Sequence, residues 1–458
     1  MTRPNILFIV LDTLREDYSE PIWAELKGRG FESYENLIAT SSWTTPSHAS
    51  IFTGKYPMVH GAHATRDEKN NNVRLKGSDQ ITKELKKRGY RNLLLSANPF
   101  ITKYFGFRFF QDEMEILYTP TLNLLSRVEW EHILGKKSKG ASNREIIIDL
   151  IKEGRLSLIG RMFLQKMRFE KIVGPIHAIY WKKVRRWPTE KGGKRLTGRL
   201  TKHRWRKGRG KGDFVFMNLM EIHEPYFHKK LMKYMHNFNR EAFERDMNEK
   251  VIKKLKDAYR EEIEYSRGLI WRVLRSMEEQ GVLDDSLVIV TSDHGQLFGE
   301  YGKVGHGIFL YDELLRLPLF IRYPRNAKVE IDTNEGHDFS SLKNIRDFIL
   351  NGIDTGTYHL SDLYEEHVIA ETHGINIEMN FDCNDEILQE VDKFKIAIYF
   401  NGHRGLFNVP DWKFEDFVHL KGGEPDIGVK EVMRSKVLRH LKEGAREKLL
   451  GKGTLSRI

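Results

Sequence analysis

A single cysteine, Cys383, stands in 458 residues, so no intramolecular disulfide framework is available and a reducing compartment suits the chain. With no activating motif beside it, that thiol reads as inert. Long apolar runs are missing as well. The stretch Asn5-Ile6-Leu7-Phe8-Ile9-Val10-Leu11 is far shorter than the roughly 20 residues that span a bilayer, and no small-residue cleavage site follows it. The expectation is a cytoplasmic protein without signal peptide or transmembrane helix, at most peripheral to a membrane. Acidic residues are scarce in one place. Residues 181–212 hold 14 Lys or Arg against the single acid Glu190, a local +13 in a chain of net +11, so everything else sums to −2. With 40% hydrophobic and 11% aromatic residues, the remainder is a globular body rather than a disordered chain, long enough for one large α/β domain and a smaller one.

Residues 6–10 and 287–290 are continuous apolar runs rich in branched side chains, the pattern of parallel strands buried on both faces. Residues 214–219 and 92–95 read as further strands, and residues 21–29 and 81–88 as helices stopped by Gly30 and Gly89. A long helix carries Tyr259, Ile263, Ile270, Val273, Leu274 and Met277 on one face and ends at Gly281. Residues 317–323 form another strand, placed at a sheet edge because Pro318 has no N–H to give a ladder. After about Asn326 the pattern changes: residues 368–371 and 394–400 read as strands of a smaller sheet, and 429–450 as a terminal amphipathic helix. The expected fold class is therefore α/β, a mostly parallel central sheet flanked by helices with a smaller C-terminal sheet-plus-helix subdomain. Its expected division is a large α/β domain over 1–325, interrupted by a basic helical insertion at about 117–212, and an α+β subdomain over 326–458.

The strand ends carry the chemistry. Asp12 follows the first strand, Glu221 and His223 follow residues 214–219, and Asp293 and His294 follow residues 287–290. Parallel strands deliver their carboxyl ends to one edge of the sheet, where ligands bind in open α/β folds. Between them, Trp43-Thr44-Thr45-Pro46-Ser47-His48 reads as a helix start, since Pro46 fits a first turn. A hydroxyl there is either an ordinary cap or part of an anion site near unpaired N–H groups. Two aspartates, a histidine and a threonine oxygen make a donor set for zinc or manganese, and their joint occurrence is poorly explained by strand-end turns. Other candidates read as structural: Asn98 a loop cap, Arg15 a surface ion pair, His60, His373 and His403 hydrogen-bonded groups, Glu221 a supporting partner.

These ordered blocks resemble the sulfatase-like branch of the alkaline phosphatase superfamily. The resemblance rests on Asn5 to Asp12, Thr44 to Gly54 with Tyr56-Pro57 and His60-Gly61, Asn218 to Tyr226, and Asp284 to Gly307 through Tyr311 to Pro318, where Ser292-Asp293-His294-Gly295 followed by Phe298-Gly299-Glu300-Tyr301-Gly302 looks like the family's second metal segment. It implies that Asp12, Asp293 and His294 hold one divalent metal, with Thr44 both ligand and nucleophile. It further implies that His223 contacts the ester or protonates the leaving group, and that His306, in Gly305-His306-Gly307, binds a non-bridging oxygen.

Departures from the family pattern redirect the chemistry. The family's Cys-x-Pro-Ser-Arg segment is Thr44-Thr45-Pro46-Ser47-His48 here, and a threonine cannot become the formylglycine aldehyde of sulfatases. The usual paired aspartates are Asp12-Thr13, and the Asp-Asn pair is Asp293-His294. This softer, less anionic set favours Mn2+ or Zn2+, with Ca2+ also compatible. The expected activity is hydrolysis or group transfer on anionic phosphate or sulfate esters, phosphate favoured, through an intermediate on Thr44. The competing reading is a non-catalytic protein that binds an anionic polymer or membrane surface through residues 181–212, where Arg185-Arg186-Trp187 and His203-Arg204-Trp205-Arg206-Lys207 interleave cations and aromatics.

Overall fold

The computed structural model describes residues 3–63, 73–77, 79–115, 132–133, 136, 141–168, 183, 190–206, 208, 210–226, 249–375, 389 and 391–451. The expectations for Cys383 and for Arg185-Arg186-Trp187 lie outside them, as does most of the 117–189 stretch. Along the chain run β1 (Asn5–Leu11), α1 (Glu20–Lys27), β2 (Glu32–Ile38), α2 (Thr44–Thr53), α3 (Pro57–His60), α4 (Ile81–Lys87), β3 (Tyr90–Ser96), β4 (Asp112–Glu115), α5 (Asn143–Lys152), α6 (Leu156–Arg168), α7 (Gly193–Thr201), β5 (Gly212–Leu219) and α8 (Glu249–Glu279). They are followed by β6 (Ser286–Thr291), β7 (Leu297–Phe298), β8 (Val304–Gly305), α9 (Asp312–Leu315), β9 (Arg316–Arg322), β10 (Lys328–Glu330), β11 (Phe339–Ser341), α10 (Ile345–Thr355), β12 (Thr357–His359), β13 (Tyr364–Glu365), β14 (His367–His373), β15 (Phe394–Phe400), β16 (His403–Asn408), β17 (Lys413–His419) and α11 (Ile427–Gly451).

Among the described residues the large sheet has nine strands in the order β13-β11-β2-β9-β6-β1-β5-β3-β4. The run from β6 to β4 is parallel throughout, with Ile6 beside Phe214 on one side and Leu287 on the other. Every residue of β1, β5 and β6 is buried, as uninterrupted apolar strands require. Alternate residues face two different cores. Ile6, Phe8 and Val10 pack with Phe52, Phe107 and α10, while Leu7, Ile9 and Leu11 pack with Ile263, Ile270 and Leu274 of α8. The sheet is thus sandwiched between two helical layers.

Two sequence expectations need correction. β9 is not an edge strand: it lies inside the sheet, antiparallel to both β6 and β2. Pro318 is tolerated because the β2–β9 register shifts between Tyr34 and Leu37, so the missing N–H falls at a bulge. Its carbonyl is not wasted, accepting the Thr291 hydroxyl at 2.7 Å. Arg15 is no surface ion pair. It is 4% exposed, with Asp17, Glu300 and the Gln296 carbonyl around its guanidinium. Within the basic stretch, Lys191, Leu196, Leu200 and Trp205 are buried and α7 packs on α8.

The C-terminal residues divide between the two sheets. β11 and β13 extend the large sheet, whereas β14-β15-β16-β17 form a separate antiparallel meander covered by α11. The hairpin strands β16 and β17 and the early strand β2 had no counterpart in the sequence reading.

Candidate active site

The carboxyl ends of β1, β5 and β6 lie side by side because these three strands are neighbours. β1 releases Asp12, and Thr13 then takes a left-handed φ of 66°, unusual for a branched residue. Tyr259 of α8 holds that turn, its hydroxyl donating to the Thr13 carbonyl at 2.6 Å and accepting the Arg15 N–H at 2.9 Å. The turn aims the Thr13 N–H at Asp293 Oδ1, 3.2 Å away, and that oxygen also accepts the His294 N–H at 3.0 Å. On the other side, Asn98 at the end of β3 donates Nδ2 to Asp12 Oδ2 at 2.7 Å while its own Oδ1 caps the Phe100 N–H. Asn98 is a loop cap, as its sequence suggested, and also orients Asp12.

α2 is buried along its whole length and ends at Gly54, whose φ of 69° closes the helix. Trp43 is the N-cap and makes no side-chain cap, so Thr44 is the first helical residue and not the cap. Its Oγ1 turns to His294 Nε2 at 3.3 Å. His48, one turn on, donates Nδ1–H to the Thr44 carbonyl at 3.0 Å and accepts from Asn218 Nδ2 at 3.1 Å. Burial holds it neutral, lowering its pKa to about 3. His48 is thus an uncharged wedge between α2 and β5.

Asp12, Asp293 and His294 present ligand atoms within 4.8 Å of one another, all fully buried. Asp12 Oδ1 and Asp293 Oδ2 have no hydrogen-bond partner. Asp293 Oδ2 sits 3.4 Å from His294 Nε2, and Asp12 Oδ1 lies 3.9 Å from the same nitrogen. His294 spends its Nδ1–H on the Gly295 carbonyl at 3.0 Å, which leaves Nε2 as a lone pair facing the carboxylates. Burial, with the neighbouring Asp293 charge, raises Asp12 to about 6, and burial raises Asp293 to about 7. Burial also lowers His294 to about 4. Two orphaned carboxylate oxygens beside a neutral imidazole are unfavourable on their own and suited to a divalent cation, so the residues fit the metal that the family uses.

His223 and His306 stand on the open side of this group. Their rings are 5.0 Å apart, and His306 lies 4.5 Å from the His294 ring. Each is wired like His294: His223 Nδ1 donates to the Glu224 carbonyl at 2.6 Å and His306 Nδ1 to Gln296 Oε1 at 2.7 Å, so both Nε2 atoms are free. His306 is held neutral by burial and by the neighbouring His294 and His223. With Glu224, these two histidines form a second set of ligand-type atoms within 4.8 Å, less buried than the first.

All six residues proposed from sequence therefore meet at one edge: Asp12, Thr44, His223, Asp293, His294 and His306. The three histidines read as structural do not join them. His60 pairs with the Ser50 hydroxyl, His373 with Glu371, and His403 with the Asp426 N–H and the Asn401 carbonyl. Gln296, which bridges His306 and Glu224, was not foreseen, since a polar residue two positions after His294 carries no distinguishing signal. A cavity of about 450 Å³ opens at the opposite, amino-terminal edge of β1 and β6, against Arg3, Asn5, Arg206 and Asp285, and contains none of these groups.

A phosphonate monoester hydrolase from Silicibacter pomeroyi shares the fold with a TM-score of 0.54 at 16% identity, over 99% of this chain and 97% of that one. A phosphonate monoester hydrolase of Agrobacterium radiobacter gives 0.53 at 14% identity, over 97% and 96%. The sulfatase family profile matches residues 4–345, and the chain belongs to the sulfatase family. By sequence it is 29% identical to an arylsulfatase of Clostridium perfringens, over 32% of this chain and 32% of that protein. It is 42% identical to an N-acetylglucosamine-6-O-sulfatase of Bacteroides thetaiotaomicron over 13% and 10%. These matches span about a third or less of the curated relatives' length.

Proposed function

We propose that this chain is a metal-dependent ester hydrolase or group transferase that acts on phosphate or sulfate esters, phosphate favoured, through a covalent intermediate on Thr44. The observation that carries the reading is the Thr44 hydroxyl 3.3 Å from the free Nε2 of His294, beside two carboxylates with orphaned oxygens. Asp12, Asp293, His294 and Thr44 would hold the ion, with Mn2+ or Zn2+ favoured over Ca2+ by the mixed oxygen and imidazole donors. A divalent ion there supplies a lowered hydroxyl pKa and a polarised ester.

The chain's own residues account for the rest. Thr44 Oγ1 loses its proton to water and bonds to the ester phosphorus as the bond from phosphorus to the leaving oxygen breaks, and His223, acting as the imidazolium, hands an Nε2–H to that oxygen. Water then opens the phosphothreonine in hydrolysis, or an acceptor hydroxyl does so in transfer. An anionic ester beside His306 raises the pKa of that imidazole, so it can charge and donate to a non-bridging oxygen. His48 keeps the Thr44 backbone in place by accepting from Asn218 and donating to the Thr44 carbonyl.

Phosphate is favoured over sulfate because oxidising a threonine hydroxyl yields a ketone, not the aldehyde that formylglycine chemistry needs. A panel of aryl phosphate monoesters, phosphodiesters, phosphonates and sulfates, each with Mn2+, Zn2+ and Ca2+, tests the reading. Turnover of a phosphorus ester with Mn2+ or Zn2+, together with a labelled Thr44, is the expected result. Turnover of sulfates alone, or no modification of Thr44, overturns it.

A further inference from the structure

Lys191 belongs to the most basic part of the chain, yet it is completely buried. Its Nζ donates to the carbonyl oxygen of Glu221 at 2.7 Å and to the carbonyl oxygen of His223. The ammonium also lies 5.7 Å from the centre of the Tyr226 ring. The contact is reciprocal. Glu221 Oε1 accepts the backbone N–H of Lys191 at 3.2 Å and of Gly193 at 2.7 Å. At residue 193 only glycine permits this approach, since a Cβ would stand 2.8 Å from the Glu221 carboxylate and 2.4 Å from Leu269 Cδ1.

Two side chains therefore clamp two backbones. Lys191 satisfies the carbonyls of the loop that carries His223, and Glu221 satisfies the amides that open α7. Carbonyls of a buried loop need partners, and an apolar side chain at 191 would leave both of these without one. Burial lowers the Lys191 pKa, while Glu262, Glu221, Glu224 and Asp12 oppose that and favour the charged form. The site is an arrangement of opposed charges around one ammonium, aimed at the histidine loop.

We infer that Lys191 is a positioning residue for His223, fixing the carbonyls at 221 and 223 so that the imidazole stays beside His306. The inference rests on the proposed function insofar as His223 acts on the leaving group. Physically, it makes the start of α7 part of the active-site support, although the sequence around it looks like surface.

The test compares Lys191→Met, His223→Ala and the double variant on aryl phosphates with good and poor leaving groups. Lys191→Met is expected to lower kcat on poor leaving groups roughly 10- to 100-fold, within the range that general acid catalysis supplies. On the best leaving group it should change kcat little, and KM and metal content should stay the same. Because Lys191 acts through His223, the double variant should be no slower than His223→Ala alone. Equal losses across leaving groups, or losses that multiply in the double variant, overturn the inference. Should Lys191→Met fail to fold, Gly193→Ala displaces the same clamp and must show the same leaving-group dependence. A second readout is independent of activity: the His223 imidazole NMR signals should shift in Lys191→Met while those of His294 do not. If His223→Ala shows no leaving-group dependence but the NMR shift is present, the positioning stands and the role given to His223 falls. If the His223 signals are unmoved, the positioning itself is wrong.

Discussion

Thr44 Oγ1 lies 3.3 Å from His294 Nε2, and that nitrogen is free because the opposite ring nitrogen is held by the Gly295 carbonyl. A hydroxyl in this place is aligned by two separate strands and one helix, and it is only 5% exposed with its residue. Thr44→Ala should therefore lower kcat by at least about 10³-fold while the metal still binds through Asp12, Asp293 and His294. Thr44→Ser keeps the oxygen and should retain measurable turnover. Steady-state rates and metal analysis on the same preparations decide it, and wild-type rates in Thr44→Ala would sink the mechanism.

Metal affinity should depend on pH in a direction set by the two carboxylates. With Asp293 at about 7 and Asp12 at about 6 in the metal-free protein, protons compete for the ligand oxygens below neutrality. Affinity measured by titration should fall as pH drops from 8 to 5. The same groups make the metal-free fold less stable as pH rises, because a carboxyl raised in the folded state favours folding while protonated and loses that contribution through its folded pKa. Asp293→Asn should accordingly raise the melting temperature of the metal-free protein at pH 8, by the equivalent of roughly 1 kcal/mol, while abolishing metal binding. A variant that binds metal normally, or melts lower, contradicts this account.

Gly295 is required by space. A Cβ there would sit 1.9 Å from the Glu313 carbonyl oxygen, with the Arg15 side chain 3.1 Å away on the other side. The backbone following His294 can only shift to relieve such a contact. Gly295→Ala should cost about 3 kcal/mol or more and reduce metal affinity with it, read by denaturant unfolding and metal titration. Normal stability would show that the α9 turn yields more easily than its packing implies.

Glu371 ties the small sheet to the rest of the protein. It is fully buried, accepting from His373 Nε2 at 2.9 Å, His440 Nε2 at 2.7 Å and the Met58 N–H at 2.7 Å. Burial alone would raise its pKa, but the hydrogen bonds from both histidines outweigh that and hold it far below the ordinary value of 4.5. A carboxyl depressed in the folded state stabilises above its unfolded pKa, and the contribution is lost as pH falls through the folded value. Glu371→Gln should thus cost about 3 kcal/mol at pH 7 and nearly as much at pH 5. Chemical denaturation at both values is the check; a difference that vanishes by pH 5 would contradict the assignment of the charge to Glu371.

The excess cations of residues 181–212 make a separate expectation. If they steer an anionic substrate, KM for a polyanionic ester should rise several-fold between low and physiological salt while kcat holds. An unchanged KM over that range would leave these residues no part in substrate capture.

The order of buried strands, the acids at their carboxyl ends and the hydroxyl-bearing helix start were legible along the chain, because burial on both faces leaves continuous apolar runs and because strand ends abut motifs directly. Pro318 misled by its chemistry: a missing N–H signals an edge, but a bulge in β2 accommodates it in the interior. For Thr44 the sequence left cap and anion site open together, and the fold makes Trp43 the cap and turns the Thr44 hydroxyl to His294. Gln296 and Lys191 were hidden for a different reason. Their roles lie in contacts 10 to 72 residues away along the chain, and a glutamine or a lysine in a polar stretch has no periodicity to betray it.

Residue types and spacing alone determined which groups are available for chemistry and which edge of a sheet they would reach, since strand direction follows from local pattern. Only the tertiary structure decided which of those groups are free. Asn98 occupies one oxygen of Asp12, backbone amides occupy one of Asp293, and carbonyls or Gln296 take the Nδ1–H of three histidines. What faces Thr44 is the remainder of that hydrogen-bond accounting, and it depends on partners brought together from distant parts of the chain.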